Sequence, residues 1–133
     1  MIEKLLNISI VVKDQAAALE FYTNKVGFEK RTDFAPPGGT RWVTVAPKGQ
    51  DLELSIFEAT PSVDPKVPQS RLRPGGVHGT FKTTDCKRDF EDLSARGVKF
   101  NEPNPVEYPF GIIVSFTDPD GNSFNLLQPA GKR

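Results

Sequence analysis

The chain carries one strand-helix unit twice. Asn7-Ile-Ser-Ile-Val-Val-Lys-Asp14 recurs in form, though not letter by letter, as His78-Gly-Thr-Phe-Lys-Thr-Thr-Asp85, with the two aspartates about 70 residues apart. Gly27 and Gly97, placed to end the two helices, keep the same interval. A strand-helix unit of this size has an apolar sheet face and a free edge that it cannot cover alone, so a chain built from two of them must join them. At 133 residues there is room for one domain of ordinary size, with module one at about 1–58 and module two at about 77–133.

Local chemistry marks each element. Leu5 to Val12 is rich in β-branched residues and stops at Asp14, whose carboxylate suits a helix N-cap. Gln15 to Val26 places Leu19, Tyr22 and Val26 at helical spacing behind a run of alanines. Strands are predicted over Phe28 to Phe34, Arg41 to Ala46 and Leu52 to Phe57, with turns at Pro36 to Gly39 and Pro47 to Gln50. Ala59 to Gly76 holds four prolines, which remove donors and fix φ, so it is expected to be a linker or a lid. The pattern then restarts: strand Val77 to Thr83, helix Cys86 to Arg96 with Cys86, Phe90 and Leu93 on one face, a strand from Val98, and three strand-like segments across Asn101 to Gln128. Each half is read as the same β-α-β-β-β module, the second with one strand-like segment over.

Composition excludes several partners. Seventeen basic residues balance seventeen acidic ones, and there is no long basic run, which argues against nucleic acid and anionic membrane. Met1-Ile-Glu-Lys-Leu-Leu enters a strand without a signal peptide's apolar core, and no apolar stretch suits a membrane span, so a cytoplasmic protein is expected. The single cysteine, Cys86, agrees with that compartment and belongs to a helix's inner face rather than to a nucleophile. Near-zero net charge permits self-association.

A strand ending in Asp, an alanine-rich helix with Phe21-Tyr22, the Gly27-Phe28 stop, and Asp118-Pro-Asp-Gly-Asn122 before the last strand together resemble the vicinal oxygen chelate superfamily, the glyoxalase, bleomycin-resistance and extradiol-dioxygenase group. The resemblance covers nearly the whole chain. It implies an α+β fold of two tandem β-α-β-β-β modules, whose curved mixed sheets form a cleft for a small organic molecule, and a homodimer. It also implies up to four metal-ligand positions on the first and last strands of each module. Carried onto this sequence they are Asn7, His78, Glu53 and Asn125, of which Glu53 and His78 are strong donors.

Two strong donors fall short of the three protein ligands usual in a tightly held catalytic site, and an asparagine carbonyl is a poor ligand for a transition metal. Extradiol chemistry needs two histidines, and the chain has one. Glyoxalase-type isomerisation needs a carboxylate base where Asn125 stands. His78 suits either a hydrogen-bonded strand histidine or a ligand contact; Glu53 suits a solvated carboxylate, a ligand contact or a partner for Arg41. Asn7 and Asn125 suit hydrogen bonds to each other or to a ligand. The aromatic residues, ten Phe, two Tyr and one Trp, exceed the needs of a core this size, and Trp42, Phe57, Tyr108 and Phe110 are the candidates to touch a ligand, with Arg41 as a candidate for an anionic group. The leading expectation is a small-molecule binder with a degenerate metal site, suited to drug or metabolite sequestration. A metal-dependent lyase or isomerase of glyoxalase type, with a divalent metal as cofactor, is the alternative; a non-catalytic interaction module is the second.

Overall fold

The computed structural model describes residues 1–35, 37, 41–58 and 75–131. The Pro-rich segment 59–74 and most of the turn at 36–40 lie outside the described residues. The chain divides into two compact units, Met1–Gly75 and Gly76–Arg133, each a sheet with a helix. The fold is α+β. Among the described residues no helix is long and apolar enough to cross a membrane.

In unit one, β1 (Asn7–Val12), β2 (Glu29–Phe34), β3 (Trp42–Ala46) and β4 (Glu53–Glu58) form a four-stranded sheet ordered β1-β4-β3-β2. The β1–β4 pair is parallel and the others antiparallel. The reason lies in the alternation of side chains. Ile10, Val12, Val43, Val45, Leu54 and Ile56 fall on one face and are buried with Ala18, Phe21 and Tyr22 of the helical segment. Asp14 caps helix α1 (Gln15–Glu20), its carboxylate accepting from the amides of Ala16 and Ala17 at 2.9 and 3.2 Å.

The helix expected over Gln15 to Val26 changes character partway. Phe21–Lys25 is a π-helical turn closed by Val26 N donating to Phe21 O at 3.0 Å. Thr23 Oγ1 donates to the Leu19 carbonyl at 2.7 Å. Phe21 and Tyr22 are adjacent yet both buried, in an edge-to-face contact at 5.0 Å. A regular helix rotates about 100° per residue and would send them apart; the widened turn serves both.

Unit two repeats the plan with one short strand more. Its sheet is ordered β5-β9-β8-β6, from β5 (Gly76–Lys82), β6 (Lys99–Phe100), β8 (Gly111–Thr117) and β9 (Asn122–Pro129), with β7 (Val106–Tyr108) paired to β8 as a short hairpin. Helix α2 (Cys86–Ala95) is capped by Asp85, whose carboxylate accepts from Arg88 N at 3.1 Å. Cys86 and Leu93 are buried as expected, and Phe90 packs on Phe100 at 4.8 Å between ring centroids. Burial pushes the Cys86 thiol up, which keeps it protonated and fits its place in the core.

Glu58 Oε1 accepts from Gln15 N, and Gln128 Oε1 accepts from Cys86 N, each at 3.0 Å. These matched bonds align the units residue by residue: Ser55 corresponds to Asn125, and the counterpart of Glu53 is Ser123. The expectation that Glu53 and Asn125 occupy equivalent places is corrected by two residues, one full side-chain alternation along the strand.

Candidate functional site

The face of the unit-one sheet opposite its buried core is organised in three rungs, each a row of side chains opposed across neighbouring strands. The first holds Asn7 opposite Glu53. Arg31 joins it from β2, where the pairing register slips between Lys30 and Thr32, and its guanidinium lies 3.8 Å from Glu53 Oε2. Arg31 also donates to Glu29 at 3.1 Å and to the Pro47 carbonyl at 2.9 Å.

The second rung is made of hydroxyls. Thr32 opposes Thr44, Thr44 opposes Ser55, and Ser55 opposes Ser9. Thr44 and Ser55 are each 1% exposed, and neither hydroxyl has a hydrogen-bond partner among the described residues. The third rung is apolar: Val11 opposes Phe57, Trp42 opposes Phe34, and the Trp42 and Phe57 rings meet edge to face at 5.5 Å. Charge, hydroxyls and aromatics thus follow one another across a single sheet face.

Of the residues singled out in this half, Asn7, Glu53, Trp42 and Phe57 share this face. Arg41 does not. It precedes Trp42 and turns to the helix side, where with Leu19, Glu20, Phe28 and Lys30 it lines a cavity of about 550 Å³. Its guanidinium grips Asp33 through two bonds of 2.8 Å, so the expected Arg41–Glu53 pairing gives way to Arg41–Asp33 and Arg31–Glu53. The backbone explains it: neighbouring strand residues point to opposite faces. The Arg41 hydrogen bond, helped by Lys30, holds the Asp33 carboxyl down at about 2 against the ordinary 3.8. Because the folded value is depressed, the stabilisation is complete above the ordinary value and drains as pH falls from about 4 towards 2. Carbon-13 NMR should show Asp33 titrating near the lower value in the native protein and near the ordinary one in Arg41→Gln.

In unit two the rung equivalent to the hydroxyl row is Thr80, Asn125 and Ser115. It is internally paired: Asn125 Nδ2 donates to Thr80 Oγ1 at 3.2 Å, and Ser115 Oγ bonds the Glu102 carboxylate at 3.0 and 3.1 Å. His78 stands two residues before Thr80 and so on another rung, and the β5–β9 register slip between Val77 and Gly79 leaves it without a cross-strand partner. Its Nε2 bonds Asn122 Oδ1 at 2.7 Å, and its ring packs on Phe124 at 5.6 Å. Asn122, fully buried, also donates from Nδ2 and from its backbone to the Asp118 carboxylate, each at 2.9 Å. Tyr108 and Phe110 stack in parallel at 5.0 Å on the β7–β8 hairpin, half exposed.

These partners bear on the metal that the family implies. Glu53 already faces the Arg31 cation, His78 Nε2 is engaged by Asn122, and Asn125 is neutral and bonded to Thr80. Among the described residues no three His, Cys, Asp or Glu side chains gather as a metal-binding group. The donor set does not fit a tightly held transition metal, which wants three deprotonated ligands free of competing partners.

The repeat, the sheets and the capped helices define a known class. The chain belongs to the glyoxalase/bleomycin resistance protein/dioxygenase superfamily, whose family model matches residues 4–126. It is 35% identical to TnmS3, an antibiotic binding protein from Streptomyces sp. CB03234, whose crystal structure aligns at a TM-score of 0.78 over 97% of this chain and 98% of that one. A superfamily member from Sphaerobacter thermophilus DSM 20745 aligns at 0.80, with 35% identity over 96% and 98% of the two chains. The uncharacterized protein YetH of Bacillus subtilis (strain 168) is 33% identical over 129 residues, 96% of this chain and all of that one.

Proposed function

We propose that the protein binds a small organic molecule, in the manner of a drug- or metabolite-sequestering member of the superfamily, and that the unit-one sheet face carries the binding. The supporting observation is that Asn7, Glu53, Trp42 and Phe57 meet on one face, with an aromatic pair at one end and polar groups at the other. Small-molecule sites combine such apolar contact area with a few placed polar groups. The likeness to an antibiotic binding protein at 35% identity supports the same reading. His78, Asn125, Tyr108 and Phe110 are proposed as further ligand contacts, and Arg41 as an outlying one. As part of this reading we take the protein to be a cytosolic homodimer, which its zero net charge and single buried cysteine support.

Trp42 is the chain's only tryptophan, so its fluorescence reports on this face alone. A panel of aromatic and peptide-like antibiotics should include a compound that quenches it with saturation, and Phe57→Ala should weaken that compound roughly tenfold. A flat response across the panel would remove the reading. The metal-dependent alternative predicts instead that Ni²⁺, Zn²⁺ or Mn²⁺ raises the melting temperature of metal-stripped protein and that His78→Ala abolishes the rise.

A further inference from the structure

Among the described residues the hydroxyls of Thr44 and Ser55 are buried and unpaired, and a buried polar group without a partner is destabilising. Packing alone does not require them. On the opposite face the same two strands use Val43, Val45, Leu54 and Ile56 at equal burial. Nor are the two scattered, since they are direct cross-strand neighbours inside a four-residue hydroxyl rung. The second unit has a polar rung at the corresponding level, Thr80, Asn125 and Ser115, and there the groups bond one another or Glu102. The polar rung is a repeated element of the fold, and in unit one its central pair is left open.

Resting on the reading above, we infer that Thr44 and Ser55 hydrogen-bond the ligand, and that the ligand is an uncharged aromatic molecule carrying hydroxyl or carbonyl oxygens. Three features select that class. Successive rungs on one face are about 6.6 Å apart, so rings lying on Trp42 and Phe57 bring an edge oxygen to the hydroxyl pair. Hydroxyls donate and accept, which suits neutral oxygens of either kind. Arg31, the cation of the first rung, is already held by Glu29, Pro47 and Glu53, so an anionic ligand would meet the Glu53 carboxylate without a free counter-charge. Both residues are 1% exposed, so a ligand oxygen reaches the pair only when the groups that cover it move.

The test uses Thr44→Val/Ser55→Ala, which keeps the shape of the face and removes both hydroxyls. Urea unfolding should find the double variant at least as stable as the parent, because two unpaired buried groups are gone. The probes are 2,3-dihydroxynaphthalene and 2,3-dimethylnaphthalene, titrated by Trp42 fluorescence with amide NMR shifts as a second readout. The parent should prefer the diol by roughly tenfold, and the variant should bind both within about twofold of each other. No preference in the parent, or an undiminished preference in the variant, overturns the assignment. So does a clear loss of stability in the variant, since the hydroxyls would then have had partners already. Those outcomes leave the binding reading standing, for it requires only that some panel compound bind saturably at this face.

Discussion

Asn122→Ala should destabilise the protein by about 3 kcal/mol or more, one of the largest losses available from a single polar side chain here. Asn122 is fully buried and holds two groups together: its amide nitrogen donates to the Asp118 carboxylate and its oxygen bonds His78. Hydrogen bonds to a charged group are worth about 1.5 to 3 kcal/mol, and truncation also leaves a small cavity beside His78. Urea unfolding measures the loss, and the imidazole NMR signals of His78 should shift as its partner disappears. Asn122→Asp discriminates further. It keeps the shape but sets a second carboxylate against Asp118, so it should be worse than alanine at neutral pH and recover as acid protonates one of the two. His78→Ala, which removes only the outer bond of the cluster, should cost less than either. The cluster also bears on metal binding, because an ion taking His78 through Nε2 must first break the bond to Asn122.

How far this was legible beforehand follows from where each signal is written. The caps at Asp14 and Asp85 and the inner face of α2 depend on residues within one turn of each other, and local chemistry declares them. The gathering of Asn7, Glu53, Trp42 and Phe57 on one face follows from strict alternation, which sequence also displays. What sequence hides is register. A one-residue slip in β2 brings Arg31, never singled out, to Glu53, and another in β5 leaves His78 without a cross-strand partner, its ring on Phe124 and its Nε2 on Asn122. Neither slip has a local marker, because an extra residue in a strand is accommodated by its partner strand. Gln15 is a similar case: a polar residue at a helix start suggests solvent, yet it is buried and its side chain ties the carbonyls of Arg41 and Ile56 at 3.0 and 2.8 Å. Thr44 and Ser55 sit where alternation places a solvated face, and only the three-dimensional packing reveals that they are closed off and, among the described residues, unpaired.

Gly111→Ala should be at least as damaging as the loss of Asn122, and for a steric reason. Gly111 opens β8 at φ +147°, a backbone conformation that side chains rarely adopt, and a Cβ there would stand 2.3 Å from the Gln128 carbonyl oxygen and 3.1 Å from Ala130 N. Both obstacles are backbone of β9 and the residues just beyond it, so relief requires the ladder itself to move. The unfavourable conformation alone costs about 1 to 3 kcal/mol, and forced overpacking adds about 1 to 3 more. Gly79→Ala is the control: it is the same substitution in β5, next to β9, where an added Cβ meets nothing within 4 Å, and it should change stability by less than about 1 kcal/mol. The position matters to function because Gly111 is also the residue opposite Tyr108, and Phe110 O accepts from Ala130 N at 2.9 Å just beside it. Pushing β8 from β9 therefore displaces the stacked Tyr108–Phe110 pair. If those rings touch the ligand as proposed, whatever fraction of Gly111→Ala still folds should bind the panel compound more weakly, while Gly79→Ala binds it unchanged. Equal binding by both would assign the exposed aromatic hairpin to some role other than ligand contact.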